Sequence, residues 1–344
     1  MRNRYLLIGP YPHGHPNQIG GSTILFKGFV EYMETRKLDF HHLSITRYQG
    51  PFKRLVNLIR VLFQAIWWIP ASRMIVVNVN RRGLLYLAPL LMAYARVWGR
   101  SMSLRMFGGD TDELDQSAQG LRKRLLDVLW KRSACLFFET QREVDYFSGR
   151  NANCHWFPNC RNVPLQFHPR NFKKRFVYIS QIKKDKGIEL LIEVFKALGP
   201  EYSLEVYGPI LESELEWIRD SHWYKGVLSF DEVYDALNRN DVLVLPSFHP
   251  GEGYPGILIE AYFMSVPVIT TRWRSIPDIV DQGRSGVLIE PRSVDSLKQA
   301  ITNLNQDQYA ILNRGAFEMS RSFQSDNIHE RVIQHLKSTD KNKS

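Results

Sequence analysis

Short runs of β-branched and aromatic residues alternate along the chain with longer stretches of helical period. Residues 5–8, 42–45, 74–78, 103–106 and 135–138 read as buried strands in the first half, and 176–179, 203–207, 227–230, 242–245 and 266–270 in the second. Between them, 23–35, 52–68, 84–98, 119–131, 187–198, 213–220, 233–240, 256–264 and 294–305 carry a helical pattern. This alternation predicts parallel sheets with right-handed crossovers and helices on both faces. Two such blocks in tandem make two Rossmann-like α/β domains. The boundary falls in 156–164 and the polar stretch to Lys174, where proline, asparagine and charge crowd together. The expected domains are 1–160 and 161–320. Residues 321–344 form a C-terminal helix and tail that can cross back to the first domain, with 338–344 reading as disordered.

A length of 344 residues, with 44% hydrophobic and 23% charged positions, suits two globular domains of roughly 150 residues each. Cys135, Cys154 and Cys160 are too few for a disulfide framework, which points to a reducing compartment. The apolar run at the start is four residues long before Gly9 and Pro10 and reads as a first strand rather than a leader. The apolar stretches 55–70 and 84–95 fall short of the roughly 18 residues needed to span a bilayer. The net charge of +10 is uneven: residues 1–170 hold 24 Lys and Arg against 11 Asp and Glu, the remainder 21 against 24. A basic first half suggests an anionic partner, with a solvated basic surface as the plainer reading.

The segment 245–271 carries the chemistry. It opens at the end of an apolar strand, where doubly wound sheets hold their ligands. A loop with Gly251, Gly253 and Gly256 then runs into a helix start. Glycine lets the backbone approach a ligand, and helix-start N–H groups favour phosphate. Glu252 lies on the loop, and Glu260 follows eight positions later on the helix. Two carboxylates around an anion site suit a ligand with both hydroxyls and phosphates, such as a nucleotide sugar. Either glutamate alone would read as a surface or capping residue.

Glu252 and Glu260 keep the Glu, seven residues, Glu spacing of the retaining glycosyltransferases of family four, which this segment resembles, and 276–291 resembles the stretch that follows it in that family. The resemblance covers 156–305 well and the first domain thinly. It implies a GT-B fold, two Rossmann-like domains with parallel sheets facing across a cleft. It implies that Glu252 contacts the transferred sugar and Glu260 the nucleotide ribose. The backbone of Gly253, Tyr254, Pro255 and Gly256 would hold the diphosphate, with Gln181 and Gly208 completing the donor set. The family is similar in using an Arg and a Lys after the second domain's first strand. Lys186 matches the Lys, whereas Gln181 stands where the Arg is expected; Lys183 or Lys184 could supply that charge.

In the first domain, Gly20, Gly21 and Ser22 precede the helix 23–35. The resemblance implies a donor-phosphate or acceptor loop there; taken alone, the trio is a turn with Ser22 as cap. Residues 105–110 resemble a second first-domain loop in which Phe107 replaces the family's His. Asp110 then becomes the acceptor-side candidate, as base or orienting group, with helix capping the even alternative. His13, His15, His41 and His42 match no metal signature.

Together these readings imply a retaining, metal-independent hexosyltransferase without a cofactor, acting on a glycan or lipid-linked acceptor in polysaccharide assembly, with Glu252, Lys186 and Asp110 as catalytic residues. A nucleotide-sugar-binding protein without transfer activity, or an epimerase of the same fold, is the alternative. Nucleic acid is not an expected partner. The helix at 52–69, with Lys53, Arg54, Arg60 and two tryptophans, reads equally as a buried domain helix or as an interfacial one on anionic lipid. The expected location is the cytoplasm, with peripheral docking at the inner membrane face as the interfacial reading requires.

Overall fold

A computed structural model describes residues 5–12, 21–45 and 51–341, with side chains described from 56 to 339 in the last stretch. In chain order the first elements are β1 (Tyr5–Gly9), α1 (Gly21–Thr35), β2 (Phe40–Ser44), α2 (Pro51–Ala71), β3 (Met74–Val79) and α3 (Arg81–Val97). They continue as β4 (Ser101–Met106), α4 (Thr111–Gln116), α5 (Gly120–Arg132), β5 (Leu136–Phe138), α6 (Gln141–Ser148) and β6 (Cys154–Trp156). The second series runs β7 (Arg175–Ile179), α7 (Ile188–Lys196), β8 (Ser203–Tyr207), β9 (Tyr224–Gly226), α8 (Phe230–Arg239) and β10 (Val242–Leu245). It ends with α9 (Gly256–Phe263), β11 (Val268–Thr271), β12 (Gly286–Ile289), α10 (Val294–Thr302), α11 (Gln306–Ser320) and α12 (Ser325–Lys341).

The chain divides into two compact units, Met1–Asn162 with Ser325–Ser344, and Val163–Gln324. Each holds one six-stranded sheet, ordered β2-β1-β3-β4-β5-β6 in the first and β12-β11-β10-β7-β8-β9 in the second. Every pairing within them is parallel. This is the GT-B pair of Rossmann-like domains.

In the first unit the strands sort their side chains by a period of two. Leu6, Ile8, Ile75, Val77, Leu104 and Phe138 pack with α2, α3 and α5 in one core. Tyr5, Leu7, Met74, Val76 and Phe137 pack with α1 and α12 in the other. Each such fully buried apolar side chain contributes about 1.5–3 kcal/mol. The closing helix α12 is anchored there by His329, which lies against Phe29, Tyr32 and Phe157.

Several expectations need correction. The strand expected at 227–230 lies earlier, at Tyr224–Gly226, because Ser229 and Glu232 form a capping box that starts α8 at Phe230. The stretch 213–220 is 3-10 rather than α-helical. Residues 338–341 continue α12 instead of being disordered. Gly21 and Ser22 lie inside α1, so Ser22 is not the residue before the helix; Gly20 lies outside the described residues, as do His13 and His15. The short strands β6 and β12 and the helices α4, α6 and α11 add to the expected elements.

Candidate active site

In the second unit β8 leaves β7 on one side of the sheet, whereas β10 returns on the other. The loops after β7 and β10 therefore flank the point where strand order reverses, the usual ligand crevice of such sheets. One loop carries Lys186 and the other Glu252. Lys186 Nζ donates to Glu252 Oε2 at 2.5 Å, and Ser247 Oγ donates to the same oxygen at 2.5 Å. Both charges are largely shielded, with side-chain exposures of 13% and 9%. Removing one partner of so buried a pair costs about 3–5 kcal/mol, because the other charge is stranded.

Local sequence explains how the loops meet. Gly187 has φ +77°, and a Cβ there would lie 2.2 Å from the Pro246 carbonyl oxygen. Glycine thus lets the β7 loop close directly on the backbone after β10. A second set of contacts, which the sequence reading missed, ties the same loops together. His249 Nδ1 lies 2.6 Å from Asp185 Oδ2, Lys183 Nζ lies 3.4 Å from that oxygen, and Phe248 N–H donates to the Asp185 carbonyl at 2.8 Å. Burial pushes the Asp185 carboxyl up, but the His249 hydrogen bond, the His249 charge and Lys183 outweigh it and hold it below its ordinary value. His249 is fixed further through its carbonyl, which accepts from Trp273 Nε1 at 2.8 Å and Glu252 N at 3.1 Å. The proximity of a lysine-rich turn to a histidine-bearing loop is invisible without the sheet order.

Beyond Glu252 the chain stays buried through Gly253, Tyr254 and Pro255, and Tyr254 donates its hydroxyl to Asp278 at 3.1 Å. Pro255 is the cap residue of α9 and offers no side-chain acceptor. Gly256 and Ile257 are half-buried while Leu258–Phe263 are buried, so the first helical N–H groups sit where the segment is most open. Helix-start N–H groups and the positive end of the helix dipole are suited to an anion. Glu260 is buried on the second turn of the same helix, 8% exposed.

Gln181 and Gly208 come together at the ends of β7 and β8. Gly208 has φ +141°, and a Cβ on it would meet the Ser180 carbonyl oxygen at 1.8 Å. The Gln181 carbonyl accepts from the buried Tyr178 hydroxyl at 3.0 Å, leaving its side chain exposed. Of the lysines that could replace the expected arginine, Lys183 pairs with Asp185 and Lys184 is exposed.

In the first unit Asp110 stands at the cap position of α4 but makes no side-chain cap bond. Its Oδ2 instead pairs with Arg81 Nη1 at 3.1 Å, and Asp112 pairs with Arg142 at 3.0 Å. Asp110 thus lies at the β4 end beside a cation, and capping is not its role. Phe107 packs against Arg105, whose fully buried guanidinium also stacks on Phe157 at 3.3 Å. Burial pulls the Arg105 guanidinium down to about 10. Gly21 and Ser22 open α1, and His41 stacks on Trp68 at 3.5 Å.

The fold is that of two-domain GT-B glycosyltransferase structures, and sequence comparison points towards glycosyl transferases. Residues 173–307 match the family described as Glycosyl transferases group 1. The chain is similar to the capsular polysaccharide biosynthesis glycosyltransferase CapM of Staphylococcus aureus, 29% identical over 170 residues that make up 45% of this chain and 43% of CapM. It is also similar to the N-acetyl-alpha-D-glucosaminyl L-malate synthase of Bacillus anthracis, 25% identical over 183 residues, 49% of this chain and 48% of that enzyme. The chain spans less than half the length of these curated relatives. Among solved structures, Anabaena HepE in complex with UDP and glucose superposes with a TM-score of 0.71 at 15% identity, covering 98% of this chain and all of HepE (100%). Sucrose-phosphate synthase of Thermosynechococcus elongatus gives a TM-score of 0.75 at 16% identity, covering 98% and 99%. Likeness at this identity speaks for the fold.

Proposed function

We propose that this protein is a glycosyltransferase that moves a hexose-type sugar, with retention of configuration and without a metal ion, from a nucleotide diphosphate sugar to a glycan or lipid-linked acceptor in cell-surface polysaccharide assembly. The observation that carries this reading is the Lys186–Glu252 pair beside the open start of α9. A diphosphate at that helix start accepts from the Gly256 and Ile257 N–H groups and from Lys186. As the bond from the anomeric carbon to the diphosphate oxygen breaks, the charge gathering on that oxygen is stabilised where it develops. Glu252 accepts hydrogen bonds from the sugar hydroxyls, and Glu260 from the ribose. Asp110, beside Arg81, accepts or orients the acceptor hydroxyl proton. Gly21 and Ser22 at the start of α1 line the phosphate or acceptor side, and no cofactor takes part. The part of CapM in capsular polysaccharide biosynthesis and the UDP and glucose held by HepE support the substrate classes.

The test is a thermal-shift panel of nucleotide diphosphates and their sugars, followed by transfer assays with the best donor in the presence of a chelator. A donor-dependent rise in melting temperature, and product of the donor's anomeric configuration formed with chelator present, are expected. No shift with any nucleotide diphosphate, or an inverted product, would overturn the assignment. The exposed neutral Gln181, where a cation is expected, favours one second reading, a binding protein that holds donor without turning it over; binding without transfer to any acceptor would establish it.

A further inference from the structure

The layer formed by α2, α3 and α5 in the first unit has an outer face of unusual composition. The three helices pack side by side on one core, and Tyr94 of α3 donates its hydroxyl to the Ile66 carbonyl of α2 at 3.0 Å. α2 has two apolar sides: Val61, Ala65 and Ile69 are buried in the core, while Ile59, Phe63 and Trp67 on the opposite side are 58%, 62% and 69% exposed. α3 repeats the pattern with Tyr86 at 71% and Val97 at 80%, and α5 with Leu121 at 72%. The spacing of the exposed residues is helical in each case, so each helix carries an outward apolar stripe as well as an inward one. Folded monomers rarely leave so many large apolar side chains of neighbouring elements in water without a partner.

The charge around the stripes has one sign. α2 and α3 contain no acidic residue and three Lys or Arg each; α5 contains five against the single acid Asp127. Asp127 is itself taken up by Lys123 and Arg150, at 3.5 and 3.8 Å. Arg82, Arg96, Arg122, Arg124, Lys131 and Arg132 are exposed and make no ion pair among the described residues. Between α3 and α5 lies an open groove of about 270 Å³, walled by Leu85, Tyr86, Pro89, Leu121 and Leu125, with Arg122 as its one charged residue.

We propose that this three-helix face docks on an anionic lipid bilayer. Aromatic and aliphatic side chains enter the headgroup boundary, and the flanking arginines and lysines meet lipid phosphates. The groove takes part of an acyl chain, with Arg122 at its phosphate. A second copy of this chain is disfavoured as the occupant, since a two-fold contact would bring like charges together across the same patch. No helix among the described residues is long and apolar enough to cross a membrane, so the contact is one of lying on the surface. Docking does not rest on transfer activity and is read without turnover.

The test is co-sedimentation of the full chain with vesicles of phosphatidylcholine alone and of phosphatidylcholine with phosphatidylglycerol. Binding to the mixed vesicles only, falling as salt rises, is expected. Each basic residue near such a surface is worth about five-fold in partition. Reversal of three of them, Arg122→Glu, Arg124→Glu and Lys131→Glu, should therefore lower binding more than tenfold. Phe63→Ser with Trp67→Ser should lower it comparably. Wild-type chain that stays in the supernatant with both vesicles, or binds them without dependence on salt, overturns the proposal even if a variant fails to fold. So does a wild-type dimer in solution that the Phe63 and Trp67 changes dissociate.

Discussion

Lys186 Nζ lies 2.5 Å from Glu252 Oε2 although the two residues stand 66 positions apart. They meet because β7 and β10 are neighbours in the sheet and Gly187 lets the two following loops touch. In the proposed transfer the pair would join the cation that meets the leaving phosphate with the carboxylate that meets the sugar.

If that coupling is functional, Lys186→Ala and Glu252→Ala should each lower kcat by two orders of magnitude or more, since losing one stabilising contact to a developing charge costs about 3–4 kcal/mol. Stability should behave differently. Each single variant strands a shielded charge, so the double variant should unfold at a higher temperature than the sum of the singles implies. A double-mutant cycle by thermal denaturation and steady-state kinetics reads both; full activity in either single variant removes the assignment.

Asp185 and His249 hold the two loops in register. Asp185→Asn should weaken nucleotide diphosphate binding about tenfold, read by calorimetry, with far-UV circular dichroism unchanged. The pH dependence has a fixed sign. Because the folded Asp185 carboxyl is held below its unfolded value, its stabilisation is present above that value and is lost as pH falls through the folded one. Asp185→Asn should flatten the acid limb of unfolding in the second unit.

Gly187 tests the same closure sterically. With φ +77° and the Pro246 carbonyl 2.2 Å from a Cβ, Gly187→Ala must shift backbone. A loss of roughly 1–3 kcal/mol in stability is expected from the strained conformation, together with weaker donor binding. Wild-type melting would contradict the contact.

In the first unit, burial pushes Glu143 up to about 7 from 4.5, against hydrogen bonds from Thr111 and Thr140. A raised carboxyl lowers stability as pH climbs from its unfolded to its folded value. At 1.36 kcal/mol per unit the effect reaches about 3 kcal/mol near neutrality. Glu143→Gln should melt higher than wild type at pH 7.5 and alike at pH 4, measured by calorimetry.

His329 has the opposite sign. Burial, with the nearby Arg105 charge adding to it, pushes its imidazole down to about 3, so its stabilisation is full above the unfolded value of 6.5 and declines as pH falls towards 3. His329→Leu should reduce the loss of α12 protection on acidification, as hydrogen exchange of Ile328–Leu336 amides would report.

Much of this protein was decided locally. Strands 203–207 and 242–245 begin and end where the pattern of the chain puts them, because a short alternating or continuous apolar run with polar or proline residues at its ends needs no distant partner to be recognised. The Glu252–Glu260 spacing and the glycines before α9 are likewise properties of one short segment. The capping box of Ser229 and Glu232 was written there too, and marks a helix start where a strand was expected.

What tertiary structure alone decided are the encounters between segments: Asp185 with His249, and Asp110 with Arg81 rather than with its own helix. The same holds for α2, whose two apolar sides are equivalent in sequence until a sheet covers one of them and leaves Phe63 and Trp67 in solvent. Periodicity and capping energies act over a few residues and can be read along the chain. Burial and ion pairing depend on which elements become neighbours, and that is set by the order of strands in a sheet.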